Sequence, residues 1–467
     1  MDPDTVSVVV ELSSAYSAKA VRRAVHANGW RALSPTEARS LASKPFLWWA
    51  DFARIPWDDV LDGRLAASAH YLKTGLVRKA DCVHRMRKHK TSGCVPTTLL
   101  AELEDEDDVD EMCADWARVA ATTPVTAGES ATLWVLKPSQ ANRAEGIAVL
   151  REGDDAALRH GLSAFPSHKS WLLQRYVVPL LLPPDSQPVG VLSDASAGEA
   201  TTGEASSGDA TAGETAAGEA TAGKAMAGEA TAGEATASEA MAVAFDSACP
   251  DSRPPPKGDP CDKATDVPPG APAGRSGHKC HLRVHVLVVG ALSVWVHDAP
   301  LVLLASEPWS EPPASVVGEH ADGRMAHLSN HCVQMEGRQY DERSHTRTLY
   351  EAFEPELAQS LMDQARAIAM SALGPFARGT ASFFALPHCF ELFGVDLAVD
   401  CYGRAWLLEV NSGPDLALHG ERLVRRTSLP ATSRARQRPF CTPALSLPLL
   451  WRAHPRATLS HPLIPLF

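Results

Sequence analysis

Paired C-x-x-C motifs are missing from this sequence. Its ten cysteines in 467 residues therefore make neither a zinc ribbon nor a disulfide framework, and they read as free thiols in a reducing compartment. Long apolar runs are missing too. The strongest, Val177 to Pro184 and Val284 to Val296, are too short or too interrupted by Gly and His to cross a bilayer as a helix of about 20 residues. Basic charge is in deficit, with 44 Lys and Arg against 56 Asp and Glu and a net charge of −12. That balance argues against a nucleic-acid binder that works by neutralising phosphates. The first residues, Met1-Asp2-Pro3-Asp4-Thr5, carry acid where an export signal needs base, so a soluble, cytoplasmic protein is expected. The G-x-x-x-x-G-K-[ST] spacing of a P-loop does not occur. What remains is a long chain, 45% hydrophobic, that can bury a large core.

Two stretches stand apart from that core. Gly198, Gly203, Gly208, Gly213, Gly218, Gly223, Gly228 and Gly233 recur every five residues in units like Ala-Gly-Glu-Ala-Thr, a period that fits neither helix nor strand. With Gly in each unit and no large apolar side chain to offset ordering entropy, residues 185–275 are expected to be a disordered insert. This insert holds 15 acidic and 5 basic residues, so most of the net charge lies on it. From Arg422 onward the chain has eight arginines and no Asp or Glu, which predicts a basic, weakly ordered tail. About 330 residues are left, enough for one multi-lobed enzyme or two compact domains.

Within them, strand and helix signals alternate. Val6 to Leu12 followed by the helical stretch Ala18 to Asn28 reads as a βα start, and Thr132 to Leu136 and Ser170 to Tyr176 read as buried strands. Cys280 to Val289 with Ala291 to His297 predicts a hairpin turning at Gly290. Leu349 to Leu373 has helical period, and Phe390 to Asp400 with Ala405 to Asn411 predicts a second hairpin turning at Tyr402-Gly403. The fold class is α/β or α+β.

Chemistry concentrates in four places. In Leu407-Leu408-Glu409-Val410-Asn411, strand alternation puts Leu407, Glu409 and Asn411 on one face, and Asp396 lies in the paired strand on the face of Ala398 and Asp400. Three hard oxygen ligands on neighbouring strands suit Mg²⁺ bridging substrate phosphates. Trp134-Val-Leu-Lys-Pro-Ser139 delivers Lys137 into a small-residue loop, where backbone amides and the ammonium can meet phosphates. In Lys279-Cys-His-Leu-Arg283, alternation sets Lys279, His281 and Arg283 on one face as an anion clamp and Cys280 and Leu282 on the other. His327-Leu-Ser-Asn-His331 is a polar cluster in a loop.

Together with Leu173-Gln-Arg-Tyr176, Pro179-Leu-Leu-Leu182, Ala305-Ser-Glu-Pro308 and Phe390-Glu-Leu-Phe-Gly-Val-Asp396, these segments resemble, in order, the tubulin tyrosine ligase family. The similarity runs from about residue 71 to about 424. It implies an ATP-grasp architecture with an N-terminal and linker lobe (1–130), a central lobe (131–184), the insert (185–275), a C-terminal lobe carrying the metal site (276–421) and the tail (422–467). It further implies that Lys137 and Lys79 approach the nucleotide phosphates and that Gln174, Arg175, Tyr176 and Val177 hold adenine. Lys279, His281 and Arg283 would lie along ribose, phosphate and acceptor carboxylate, Ser329 and Asn330 near the phosphates, and Asp396, Glu409 and Asn411 on Mg²⁺. Lys137, Lys279 and Arg283 are the catalytic candidates.

The resemblance implies an ATP- and Mg²⁺-dependent ligase that adds a free amino acid to a protein carboxylate, with the acidic tail of tubulin as partner. The expected protein is a cytoplasmic, microtubule-associated monomer that binds neither nucleic acid nor membrane. It departs from the family's pattern at His281, where an acidic residue is common, at Leu303, where an arginine is common, and at Ala144, where glycine is usual. The alternative reading is a nucleotide-binding pseudoenzyme or interaction scaffold of the same fold.

Overall fold

The β-branched run near the start of the chain forms β1 (Ser7–Glu11), in a computed structural model that describes residues 6–40, 46–183 and 277–419 apart from 291, 319, 320, 339 and 378. The helix Ala15–Ala27 follows, its first turn closed by the Ser14 hydroxyl, which accepts the amide of Ser17. β1 is joined in parallel by β2 (Arg31–Leu33) on one side and β3 (Leu47–Ala50) on the other, with β4 (Ala66–Ala67) beyond β3. Val21 and Val25 of the helix meet Val8 and Val10, and Leu287 and Phe390 from much later in the chain complete this cluster.

The central sheet has the order β5-β8-β6-β7, from β5 (Thr98–Glu102), β6 (Glu129–Pro138), β7 (Ala148–Arg151) and β8 (Ser170–Val177), all antiparallel. Alternation gives each strand two chemically distinct faces. Trp134, Leu136, Trp171 and Leu173 pack on Met112 and Trp116 of the helix Glu106–Thr122 and on Leu158 and Leu162 of the helix Asp155–Ser163. Val135, Lys137, Gln174 and Tyr176 face the other way.

The largest sheet is built on β10 (His278–Val289), with β9 (Leu181–Leu182), β11 (Ser293–Val296), β12 (Leu301–Pro308), β13 (Thr346–Thr348), β14 (Phe390–Val399) and β15 (Ala405–Ser412) in the order β13-β12-β10-β14-β15 and with β9 and β11 also pairing β10. The helix Pro355–Leu373 covers one face. Its residues Ala358, Leu361, Met362, Ala365, Ile368, Ala369 and Ala372 recur at helical spacing and bury against Leu282, Val284, Val286, Val395 and Leu397. Each large aliphatic side chain sealed there contributes roughly 1.5–3 kcal/mol. β9 pairs Leu182 with His278, so the described chain on either side of the insert meets across a single ladder. The insert and the tail themselves lie outside the described residues.

The helical period from Leu349 to Leu373 resolves into two helices, Leu349–Ala352 and Pro355–Leu373. A capping box between Thr348 and Glu351 starts the first, and Pro355 can only begin the second. The expected alternation in the last strand fails at one point. Asp396 pairs with Glu409 but Leu397 pairs with Leu407, so Leu408 is an extra residue in a β-bulge. Leu407 therefore joins the apolar core with Leu397, and Leu408 takes its expected place beside Glu409 in the cleft described below.

Seven cysteines fall among the described residues and all are free. Among these residues no helix is long and apolar enough to cross a membrane.

Candidate active site

Between the face of the central sheet turned away from its two helices and the face of the largest sheet opposite the helix Pro355–Leu373 lies a half-open cleft. Val135, Ile147 and Val149 wall it on one side and Ala398 and Leu408 on the other, while the strand Gln174 to Val177 runs along its edge.

The charged groups come from the ladder itself. β10, β14 and β15 are neighbours in register, which sets Arg283 beside Asp396 and Asp396 beside Glu409 in one row. Arg283 grips Asp396 with two hydrogen bonds, Nε to Oδ1 at 2.5 Å and Nη2 to Oδ2 at 2.9 Å. Asn411 joins the two carboxylates, its Nδ2 donating to Asp396 Oδ2 at 3.1 Å and to Glu409 Oε1 at 2.9 Å. Lys79, first residue of the helix Lys79–Lys88, pairs with Glu409 at 3.1 Å and donates to the Ala141 carbonyl at 2.8 Å.

Each remaining cation has a neutral partner. Lys137 Nζ donates to Gln174 Oε1 at 2.9 Å, and Gln174 Nε2 donates to the Thr98 hydroxyl at 2.9 Å. Lys279 Nζ donates to the Tyr176 hydroxyl at 3.1 Å and sits 4.2 Å from that ring's centre. Trp309 Nε1 donates to the same oxygen at 3.0 Å. Having accepted twice, Tyr176 directs its one proton to His327 Nδ1, 3.0 Å away. His281 Nδ1 and the Ser329 hydroxyl are 2.7 Å apart.

Burial sets the protonation states. It pushes Lys279 down to about 7, assisted by the charge of Lys137. It pushes Lys137 down to about 8, against the pull of Glu409. His281 falls to about 3 through burial and then Arg283 and Lys279, and His327 to about 4 through burial and then Lys279, so both rings are neutral. Burial raises Asp396 to about 6 although Arg283 opposes it. Burial also works against the Glu409 carboxylate, but Lys79, Asn411 and Lys137 outweigh it and hold the group at about 2. Both carboxylates are thus ionised at neutral pH.

Of the residues singled out from sequence, Lys137, Gln174, Arg175, Tyr176, Val177, Lys279, His281, Ser329, Asn330, Asp396 and Glu409 line the cleft. Lys79, Arg283 and Asn411 stand directly behind, bonded to the carboxylates. Two placements differ from expectation. The Arg175 side chain leaves the cleft, crosses the face of Trp134 at 4.7 Å and donates to the carbonyls of Ala120 and Thr123, where the end of the helix Glu106–Thr122 favours a cation. Asn411 presents its amide nitrogen, not its oxygen, to the carboxylates. Among the described residues no group of three or more His, Cys, Asp or Glu is arranged to hold a metal. The oxygen donors in place are the two carboxylates, hard ligands that fit Mg²⁺ sharing its shell with phosphates and water, and turning the Asn411 amide over would add its oxygen.

Residues 272–426 match the model of the Tubulin-tyrosine ligase family. A probable tubulin–tyrosine ligase of Schizosaccharomyces pombe is 34% identical over 150 residues, 31% of this chain and 34% of that protein. Through this segment the chain is similar to the tubulin-tyrosine ligase family. The probable tubulin–tyrosine ligase PBY1 of Saccharomyces cerevisiae is 30% identical over 154 residues, 32% of this chain and 20% of that one. A probable tubulin polyglutamylase, TTLL9 of Bos taurus, is 28% identical over 150 residues, 30% of each. The matches thus span about a third or less of these relatives. The fold is that of ATP-grasp proteins: the C-terminal domain of K. lactis Pby1, described as an ATP-grasp enzyme interacting with the mRNA decapping enzyme Dcp2, superposes with a TM-score of 0.51 at 14% identity, covering 90% of this chain and 89% of that one.

Proposed function

We propose that this chain is an ATP-dependent ligase that forms an amide between an amino acid and a protein carboxylate, with the acidic C-terminal tail of tubulin as acceptor. The observation that carries the reading is the row Arg283, Asp396 and Glu409 across three adjacent strands, with Lys79, Lys137 and Lys279 around it. Asp396, Glu409 and Asn411 would hold Mg²⁺, which supplies charge neutralisation at the phosphates when bound.

Lys137 and Lys279, each resting on a neutral partner, are free to turn to phosphate oxygens without breaking an ion pair. Val135, Ile147, Val149, Ala398 and Leu408 exclude water around the base. Lys279 orients the acceptor carboxylate, while Arg283, expected in the same clamp, acts from behind by holding Asp396 in place. One of that carboxylate's oxygens attacks the γ-phosphorus, the bond to ADP breaks, and an acylphosphate forms. The amine of the amino acid then attacks the acyl carbon, phosphate leaves, and the nitrogen gives up a proton. The end of the helix Lys79–Lys88 suits an acidic acceptor, because His84, Arg87, Lys88, His89 and Lys90 are exposed there. The expected setting is cytoplasmic and microtubule-associated.

The test is phosphate release from Mg-ATP by the full chain with tubulin and free tyrosine, glutamate or glycine, followed by mass spectrometry of the tubulin. Release that needs both acceptor and amino acid, with the matching mass added, is expected. Absence of any added mass with all three refutes the ligase reading.

Leu303 favours a second reading. It lies opposite His281 on β12 and is buried with Leu301 and Leu418, so an apolar contact stands where the family commonly has an arginine. Mg-ATP binding without turnover for any acceptor would mark a nucleotide-binding scaffold.

A further inference from the structure

The segment Arg324 to Asn330 supplies His327, Leu328, Ser329 and Asn330 to the cleft, yet little of its own structure can hold it there. It contains a four-residue helix, Arg324–His327, and is followed by another, His331–Gln334. Single turns of helix do not stand alone in water. The apolar support is small: Leu328 and Val333 meet Ala144, with Ile147, Met325 and Cys332 at the edge.

The last residue of the second helix does more. Gln334 is 1% exposed, and its amide uses both ends. Oε1 accepts the backbone N–H of Ser306 on β12 at 2.5 Å, while Nε2 donates to the carbonyls of Met325 at 3.0 Å and Leu328 at 2.5 Å. One side chain therefore ties a strand of the largest sheet to the backbone on both sides of the point where the segment turns into the cleft. Only an amide can do this. Glutamate in its place would set an acceptor against two carbonyls, and methionine would leave all three backbone groups without a partner.

We propose that Gln334 is a positioning residue for nucleotide binding: it latches the Arg324 to Asn330 segment onto β12, so that Ser329 and Asn330 face the phosphates and His327 braces Tyr176. The inference rests on reading the cleft as a nucleotide site. It touches none of the reacting atoms and acts through the residues it holds.

The test is Mg-ATP titration into the full chain as wild type, as Gln334→Met and as Leu361→Ala, a core control under the helix Pro355–Leu373, with melting temperatures recorded for all three. Gln334→Met should weaken Mg-ATP at least tenfold, while Leu361→Ala at equal or greater loss of melting temperature changes it less than threefold. Equal effects of the two variants would reduce Gln334 to a general stability role and overturn the proposal. Should Gln334→Met not fold, hydrogen exchange in the wild type decides. The amides of Ser306, Leu328 and Gln334 should open at one common rate that Mg-ATP slows, whereas three unrelated rates overturn the latch. A wild type that binds no Mg-ATP fails the nucleotide reading itself, while common opening of the three amides would still show the latch.

Discussion

Binding of Mg-ATP should draw protons from solution. Lys137 and Lys279 are held down to about 8 and about 7 by burial in the free chain. Phosphate oxygens placed against them favour the ammonium form and would return both toward the ordinary lysine range, from which they start at 10.5. At pH 8 the free chain then carries about half a proton on Lys137 and about a tenth on Lys279, so binding takes up about 1.4 protons. Affinity consequently falls by about 1.4 decades per pH unit near pH 8. Isothermal titration at pH 8 in buffers of different ionisation enthalpy reads the uptake directly as the slope of observed heat against that enthalpy. Lys279→Met should lower the slope to about 0.5, and Lys137→Met to less than about 0.9, because removing the Lys137 charge also lets Lys279 rise. A slope near zero for the wild type would refute the reasoning, since it would mean that neither lysine gains a phosphate partner. The sign of the stability effect follows from the same groups. Between about pH 7 and 10.5 the unfolded chain binds more protons than the folded one, so these lysines make the free protein more resistant to urea as pH rises through that window.

Two further outcomes follow from the packing. Gly128 has φ +92°, and a Cβ there would lie 1.9 Å from the buried Asp400 Oδ2, which accepts from Trp406 Nε1 at 2.8 Å. Gly128→Ala should cost at least about 2 kcal/mol in urea unfolding, through backbone strain and a displaced carboxylate, and a loss under 0.5 kcal/mol would contradict this. Deleting residues 190–275 should leave Mg-ATP affinity within about twofold, because Leu182 already pairs with His278 and loop closure depends only weakly on length. A tenfold loss would show that the insert takes part in the site.

Much of this arrangement can be read from residue order, and the exceptions have physical causes. Strand alternation gives the faces of Lys279, His281 and Arg283 against Cys280 and Leu282, because β10 runs regularly through that stretch between β12 and β14. It misplaces Leu407, because one extra residue in β15 reverses the alternation and nothing local announces the bulge. The same bulge hides Leu408, a cleft residue the sequence reading lacks. Val135 and Val149 could have been found, since Val135 lies two positions before Lys137 on one strand face and pairs with Val149. His327 belongs to a polar cluster already visible in sequence, but its bond to Tyr176 joins positions 151 apart and is set by tertiary packing alone. The direction of Arg175 is likewise decided by distant carbonyls at the end of another helix.

The central claim is that Asp396, Glu409 and Asn411 make this cleft a Mg-nucleotide site. Titration of ATP into the wild type and into Glu409→Gln, each with Mg²⁺ and with chelator, tests it most directly. The account predicts tight binding that needs Mg²⁺ in the wild type, and in a folded Glu409→Gln chain no ATP turnover and no gain in affinity from Mg²⁺. Binding equally tight with chelator, or a Glu409→Gln chain that keeps its Mg²⁺ response and turnover, would contradict it.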